Sequence, residues 1–165
     1  MMNESYRLYF RQVYRIACNS TNPIDKNAAG IGFEYQGEIL GGSSNDIKNY
    51  EEWMSAPQYV RHFSEHPEIN VINKFRLSNL PTEGTVIFVP WGSSLRSVKY
   101  MVDAGISKVI YHKNALDMIP KQSRNNCQFG INTLSKFGVD VEYYEGKVFT
   151  YDEIEVKIRG RSFFP

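Results

Sequence analysis

A histidine and a glutamate stand one residue apart at His66-Pro67-Glu68, and Ile69, Ile72 and Phe75 follow them at helical spacing in HPEINVINKF. Two readings of this run stand. In one, the pair faces a ligand pocket, where Glu68 bonds a ring N–H or serves as acid and base without a metal. In the other, His66 caps a helix or bonds a buried carbonyl, and Glu68 answers the positive end of the helix dipole.

A second stretch, WGSSLRS (91–97), also carries two readings. An apolar strand, a Gly92-Ser93-Ser94 turn and a helix start form a natural anion site, because backbone N–H groups and hydroxyls converge there with the helix dipole. Arg96 can add a charged donor, and Trp91 can stack on a base or fill a core. The plainer reading is an N-cap, with Ser93 or Ser94 bonding the first helical amides. A hydrolase pair of Ser93 and His66 is disfavoured, since no third orienting group is evident and the turn is no G-x-S-x-G elbow.

These residues need elements to hold them. Tyr6, Tyr9, Val13 and Ile16 share a helical face over residues 4–19. Residues 28–35 and 38–42 read as two strands joined by a two-residue turn at Gln36-Gly37. GGSSND (41–46) is a loop, and residues 46–62 form a longer excursion with Trp53 and Pro57. Pro67 suits the first turn of the next helix, because its missing N–H has no partner to lose there. TVIFV (85–89) and KVIYH (108–112) are apolar runs of the kind expected in buried strands. Between them SLRSVKYMVDAG forms a helix with Leu95, Val98 and Val102 in phase and Gly105 at its end. A polar stretch from Lys113 leads to a helix near 126–137, VDVEYY (139–144) is a strand, and EIEVKIR (153–159) alternates like an edge strand or tail. Repeated strand–helix–strand units call for right-handed crossovers. The expectation is a three-layer α/β/α sandwich with a mixed sheet of about five strands. It spans residues 1–150, with a C-terminal strand or tail over 151–165.

This order of elements and the run His66-Pro67-Glu68-Ile69-Asn70-Val71-Ile72 resemble the cytidine and deoxycytidylate deaminase superfamily, over roughly residues 8–148. The nearest type is the deoxycytidylate deaminase of bacteria and their phages, in which the run reads H-A-E-x-N-A-I. The resemblance implies zinc held by His66 and by two cysteines of a P-C-x-x-C turn, with Glu68 as proton shuttle. The cysteines are missing. Counting forward from Pro90 puts their positions at Trp91 and Ser94; counting back from Ala104-Gly105 puts them at Ser94 and Ser97. A neutral hydroxyl is a poor zinc ligand beside a thiolate. Cys127 lies far off in sequence and fold order, and His62 and His112 reach the site only through altered local geometry. The resemblance also makes Asn45 of GGSSND a candidate for sugar or phosphate, against a plain solvated turn.

The remaining properties narrow the classes. With 19 Lys+Arg against 18 Asp+Glu, the charge balance does not support a dedicated nucleic-acid binder. Cys18 and Cys127 share no motif and read as ordinary thiols in a reduced compartment. No stretch approaches the roughly 18 apolar residues of a membrane span. The N-terminal MMNESYRLYF is too polar for a secretory signal, so the expected location is cytoplasmic. The functional expectation is a divergent deoxycytidylate-deaminase-like protein that binds a pyrimidine nucleotide, with no cofactor and no zinc-dependent deamination. The alternatives are an active deaminase with unusual zinc ligation and a non-catalytic scaffold subunit. By resemblance the chain forms a homo-oligomer or pairs with a paralogue.

Overall fold

The structure, a computed structural model, describes residues 2–34, 36–47 and 65–165. Trp53, Pro57 and His62 of the expected excursion lie outside the described residues. In chain order the elements are α1 (Met2–Cys18), β1 (Ala28–Gly32), β2 (Ile39–Ser44), α2 (Pro67–Leu77), β3 (Val86–Val89) and α3 (Leu95–Asp103). They continue with β4 (Lys108–His112), α4 (Lys113–Asp117), α5 (Lys121–Lys136), β5 (Asp140–Tyr144), β6 (Val156–Ile158) and β7 (Arg161–Phe163). The main sheet has the order β2-β1-β3-β4-β5. β1 is antiparallel to both β2 and β3, whereas β3, β4 and β5 run parallel. This is the expected α/β/α sandwich with a mixed five-stranded sheet. Among the described residues no helix is long and apolar enough to cross a membrane.

The two faces of the sheet follow from side-chain alternation. Phe88 of β3 stacks on Tyr9 of α1 and meets Tyr6 and Phe10 edge-on, so α1 covers that face. Glycines let α1 approach closely: a Cβ on Gly30 would come 3.0 Å from Val13, and one on Gly42 would come 2.5 Å from Ile16. Val71, Ile72, Val98, Met101, Ile131 and Leu134 of α2, α3 and α5 join the same buried core.

Several local expectations are corrected. The β1–β2 connection spans 33–38, because the last strand pair is Gly32 with Ile39. Tyr9 decides this: its hydroxyl accepts the N–H groups of Gln36 and Gly37 at 3.0 Å each and donates to the Phe33 carbonyl. The expected buried line of α3 shifts as well. Val98 and Met101 are inside with Ser97, while Leu95 is half exposed. The polar stretch after Lys113 holds α4 and the first turn of α5, which begins at Lys121 rather than near 126, with Pro120 as its N-cap residue. EIEVKIR does not join the main sheet; β6 pairs with β7 in a separate hairpin. That hairpin packs Val156 and Ile158 into the core, and Phe163 lies against Tyr14 and His112.

Candidate functional site

The pairing scheme brings three segments to one edge of the sheet. β1 runs against β3, so the residue before β1 lies beside the turn after β3: Nδ2 of Asn27 donates to the Trp91 carbonyl at 3.0 Å. The end of β2 is held there too, because Asn27 N–H donates to Oδ1 of Asn45 at 3.0 Å. The chain leaves β3 through Pro90-Trp91-Gly92, and Gly92 takes φ +79, which a side chain would strain. Ser94 is the N-cap of α3 and accepts from the Ser97 amide at 3.3 Å. Of the two N-cap candidates, Ser93 is therefore free for other work.

Ser93 is fully buried and donates to Oε1 of Glu68 at 3.1 Å. Behind it, the buried Tyr111 hydroxyl donates to Ser93 Oγ. The result is a directed chain, Tyr111 to Ser93 to Glu68. The other carboxyl oxygen, Oε2, is buried with no hydrogen-bond partner. Burial pushes the Glu68 pKa up to about 7, against the smaller opposing effects of its own backbone amide and Ser93. The Tyr111 phenol is held well above its ordinary range, chiefly by burial, and stays protonated.

In front of Ser93 lies a cavity of about 340 Å³. His66, Pro67 and Glu65 from the start of α2, the Trp91–Ser94 turn, Asn27 and Asn45, and Ser123, Asn126 and Cys127 of α5 line it. His66 is the N-cap residue of α2 and makes no side-chain cap bond, so the helix-cap reading does not describe it. It lines the cavity wall, and the protein around it lowers its pKa, mainly by desolvation. Glu68 sits one layer back, behind Ser93, only 1% exposed.

The other sequence candidates fall as follows. Trp91 is 6% exposed, belongs to the core cluster and presents part of its surface to the cavity. Asn45 also touches the cavity, but its amide is committed: Oδ1 accepts from Ser20 and Asn27, and Nδ2 donates to the Asp25 carbonyl at 2.7 Å. Arg96 is exposed, is not among the lining residues and pairs with Glu65 at 3.2 Å. His112 lies on the α1 face, away from the cavity. Its Nε2 donates to the Gly146 carbonyl at 2.8 Å, which leaves Nδ1 to accept from Tyr14 at 2.7 Å.

Four residues at or behind the cavity escaped the sequence reading. Cys127 lies far along the chain from the His-x-Glu run, yet α5 carries it to the cavity wall beside the Ser93 backbone. Gly130, one turn on, explains the contact, since a Cβ there would come 2.1 Å from the Ser93 carbonyl. Tyr111 read as an ordinary strand residue; its one signal was a hydroxyl inside an apolar run. Arg159 enters from the C-terminal hairpin. Asn27 gave no signal, because its role depends on a strand pairing with distant residues.

The fit to zinc can be judged from these donors. Among the described residues no group of three or more His, Cys, Asp or Glu side chains is placed to hold a metal ion. The Ser94 hydroxyl is taken by the helix cap and by Ser97 Oγ at 3.1 Å. The donor set that the superfamily uses does not fit the residues present.

No protein-family model and no curated protein sequence matches the chain. Among solved structures, dCMP deaminase from the cyanophage S-TIM5 in apo form aligns with a TM-score of 0.64 and 22% identity, over 87% of this chain and 99% of that one. The same enzyme in complex with dCMP and dUMP gives 0.58 and 22%, over 85% and 94%. NE0047 in complex with 2,6-diaminopurine gives 0.52 and 10%, over 87% and 75%. The resemblance read from the His-x-Glu run and the element order therefore holds in three dimensions: the chain has the cytidine-deaminase-like fold.

Proposed function

We propose that the cavity binds a pyrimidine deoxynucleotide and that the protein is a divergent deoxycytidylate-deaminase-like member that does not carry out zinc-dependent deamination. One observation carries this reading. A buried carboxyl that titrates near neutrality, with one oxygen held by Ser93 and the other unpaired, stands directly behind the wall of a ligand-sized cavity. Glu68 acts on a bound heterocycle from behind: Ser93, Ser123 and Asn126 line the cavity and meet the ring, and the protonation state of Glu68 sets the hydrogen bond that Ser93 makes. The dCMP and dUMP complex of the similar phage enzyme supports a pyrimidine ligand. The missing thiolates and the engaged Ser94 support binding without a superfamily-type zinc centre. A homo-oligomer or a pairing with a paralogue, in the cytoplasm, belongs to the same reading, and light scattering after gel filtration tests the assembly.

Thermal-shift and calorimetric titration with dCMP, dUMP, dCTP and dTTP test the ligand. Stabilisation by at least one, weakened in Glu68→Gln, is expected. No response to any of them would leave a scaffold role in its place. One observation favours a second reading, an active deaminase with unusual zinc ligation: His66 and Cys127 line the same cavity. Stoichiometric zinc in the purified protein together with conversion of dCMP to dUMP would establish that reading and end the first.

A further inference from the structure

Arg159 sits at the turn of the β6–β7 hairpin with φ +51, in the left-handed region that a non-glycine residue rarely adopts. The two-residue β6–β7 turn has positive φ at both central residues, Arg159 at +51 and Gly160 at +77, the geometry that hairpin twist favours. Asp25 pins that turn in place. Its Oδ1 accepts the Arg159 backbone N–H at 2.6 Å and its Oδ2 accepts from Nη1 at 3.2 Å. Neighbouring backbone bonds fix the hairpin to the same segment, from Gly160 N–H to the Ile24 carbonyl and from Lys26 N–H to the Lys157 carbonyl, both at 2.8 Å. The left-handed turn thus aims a guanidinium at the cavity, where it lines the wall with His66, Ser123, Asn126 and Cys127.

A guanidinium has five N–H donors in a planar fork. One goes to Asp25, and no other hydrogen bond from this side chain to a described residue is formed. Of the cavity's carboxylates, Asp25 is bound to Arg159 itself, and Glu65 is paired through Oε2 with Arg96 outside the lining while its Oε1 is buried without a hydrogen-bond partner among the described residues. Arg159 shares the cavity wall with His66 at the start of α2 and Cys127 of α5. Ser123 and Asn126 add neutral hydrogen-bonding groups on the facing helix.

We propose that Arg159 binds the phosphate of a nucleoside monophosphate in this cavity, so that the C-terminal hairpin discriminates nucleotide from nucleoside. This deepens the nucleotide reading above and rests on it. Phosphate matches the guanidinium fork through charge-assisted, bidentate bonds, which a nucleoside hydroxyl cannot replace.

The test is calorimetric titration of the full chain with dCMP, deoxycytidine and inorganic phosphate, in wild type and in Arg159→Gly and Arg159→Lys. Glycine accepts the positive φ and keeps the backbone N–H bond to Asp25, so Arg159→Gly preserves the turn while losing the guanidinium and its bond to Asp25 Oδ2. The expected result is that dCMP affinity falls roughly tenfold or more in Arg159→Gly, as loss of a charge-assisted phosphate contact requires, and deoxycytidine affinity stays put. Arg159→Lys recovers part of the loss, because it restores charge without the fork. Equal weakening of dCMP and deoxycytidine, or unchanged dCMP binding, overturns the assignment and leaves the nucleotide reading intact. If dCMP and deoxycytidine fail to bind while inorganic phosphate binds through Arg159, the anion role stands and the nucleotide reading falls. Absence of binding by all three overturns both.

Discussion

Ser93 donates its hydroxyl proton to Oε1 of Glu68 across 3.1 Å, with both residues sealed from solvent. Each has one side chain and several obligations. Ser93 accepts from Tyr111 and donates to Glu68, so its single proton sets the direction of the whole chain. Removing the middle member leaves two buried groups stranded at once.

Ser93→Ala is therefore expected to cost more than one ordinary hydrogen bond. The Tyr111 phenol loses its acceptor, and Glu68 loses its only side-chain donor among the described residues. Stranded buried polar groups give a loss of about 2–4 kcal/mol. Tyr111→Phe removes only the far end of the chain and costs about 1 kcal/mol. Chemical denaturation measures both. A carbon NMR titration of the Glu68 carboxyl adds a separate readout: its pKa rises above about 7 in Ser93→Ala, since one of the effects now lowering it disappears.

Stability against pH carries two opposing slopes. Burial raises Glu68 from 4.5 to about 7, so its native state is favoured below 4.5 and the advantage drains away as pH rises through 7. Burial lowers His112 from 6.5 to about 4, so stability is full above 6.5 and is lost as pH falls towards 4. Each shift corresponds to about 3 kcal/mol, and His66 adds to the second slope. The two nearly cancel between 4.5 and 6.5. Glu68→Gln should expose the histidine slope, with a Tm that climbs up to pH 6.5 and then levels. His112→Gln should expose the opposite one, with a Tm that declines until about pH 7.

Gly130→Ala tests whether α5 fixes the Ser93 turn. In an exposed helix this exchange stabilises by about 1 kcal/mol, because glycine is a poor helix former. Here the added Cβ would lie 2.1 Å from the Ser93 carbonyl, a backbone atom that cannot rotate away. The expected sign is reversed, with a loss of about 1–3 kcal/mol from overpacking. Nucleotide binding should weaken alongside, since the displaced residue is the one that holds Glu68.

The sequence made the fold legible because its signals were local and periodic. VIFV and KVIYH are apolar runs of strand length, and Tyr6, Tyr9 and Val13 repeat at helical spacing. The β1–β2 connection departs from a two-residue turn because Tyr9, some 27 residues earlier, accepts its amides. Leu95 looked buried by phase, but the start of α3 projects past the core. Of the site, His66, Glu68 and the Trp91–Ser94 turn were readable from residue type and spacing. Cys127, Asn27 and Arg159 were not, because their importance arises only when α5, β1 and the C-terminal hairpin converge on one edge of the sheet.

Cys127 supplies a chemical probe of that convergence. Burial raises its thiol pKa, with the nearby Glu68 charge acting the same way, so little thiolate exists at neutral pH. Alkylation should be slow at pH 7 and accelerate as pH rises. Glu68→Gln should speed it by a few-fold at fixed pH, because removing the negative charge eases thiolate formation. Cys18 is the internal control. It sits at the end of α1, donates to the Arg15 carbonyl at 3.1 Å and does not line the cavity. Saturating dCMP should protect Cys127 and leave the labelling rate of Cys18 unchanged, as read by mass spectrometry of the two peptides. Equal protection of both thiols would indicate global tightening, and protection of neither would place the nucleotide outside this cavity.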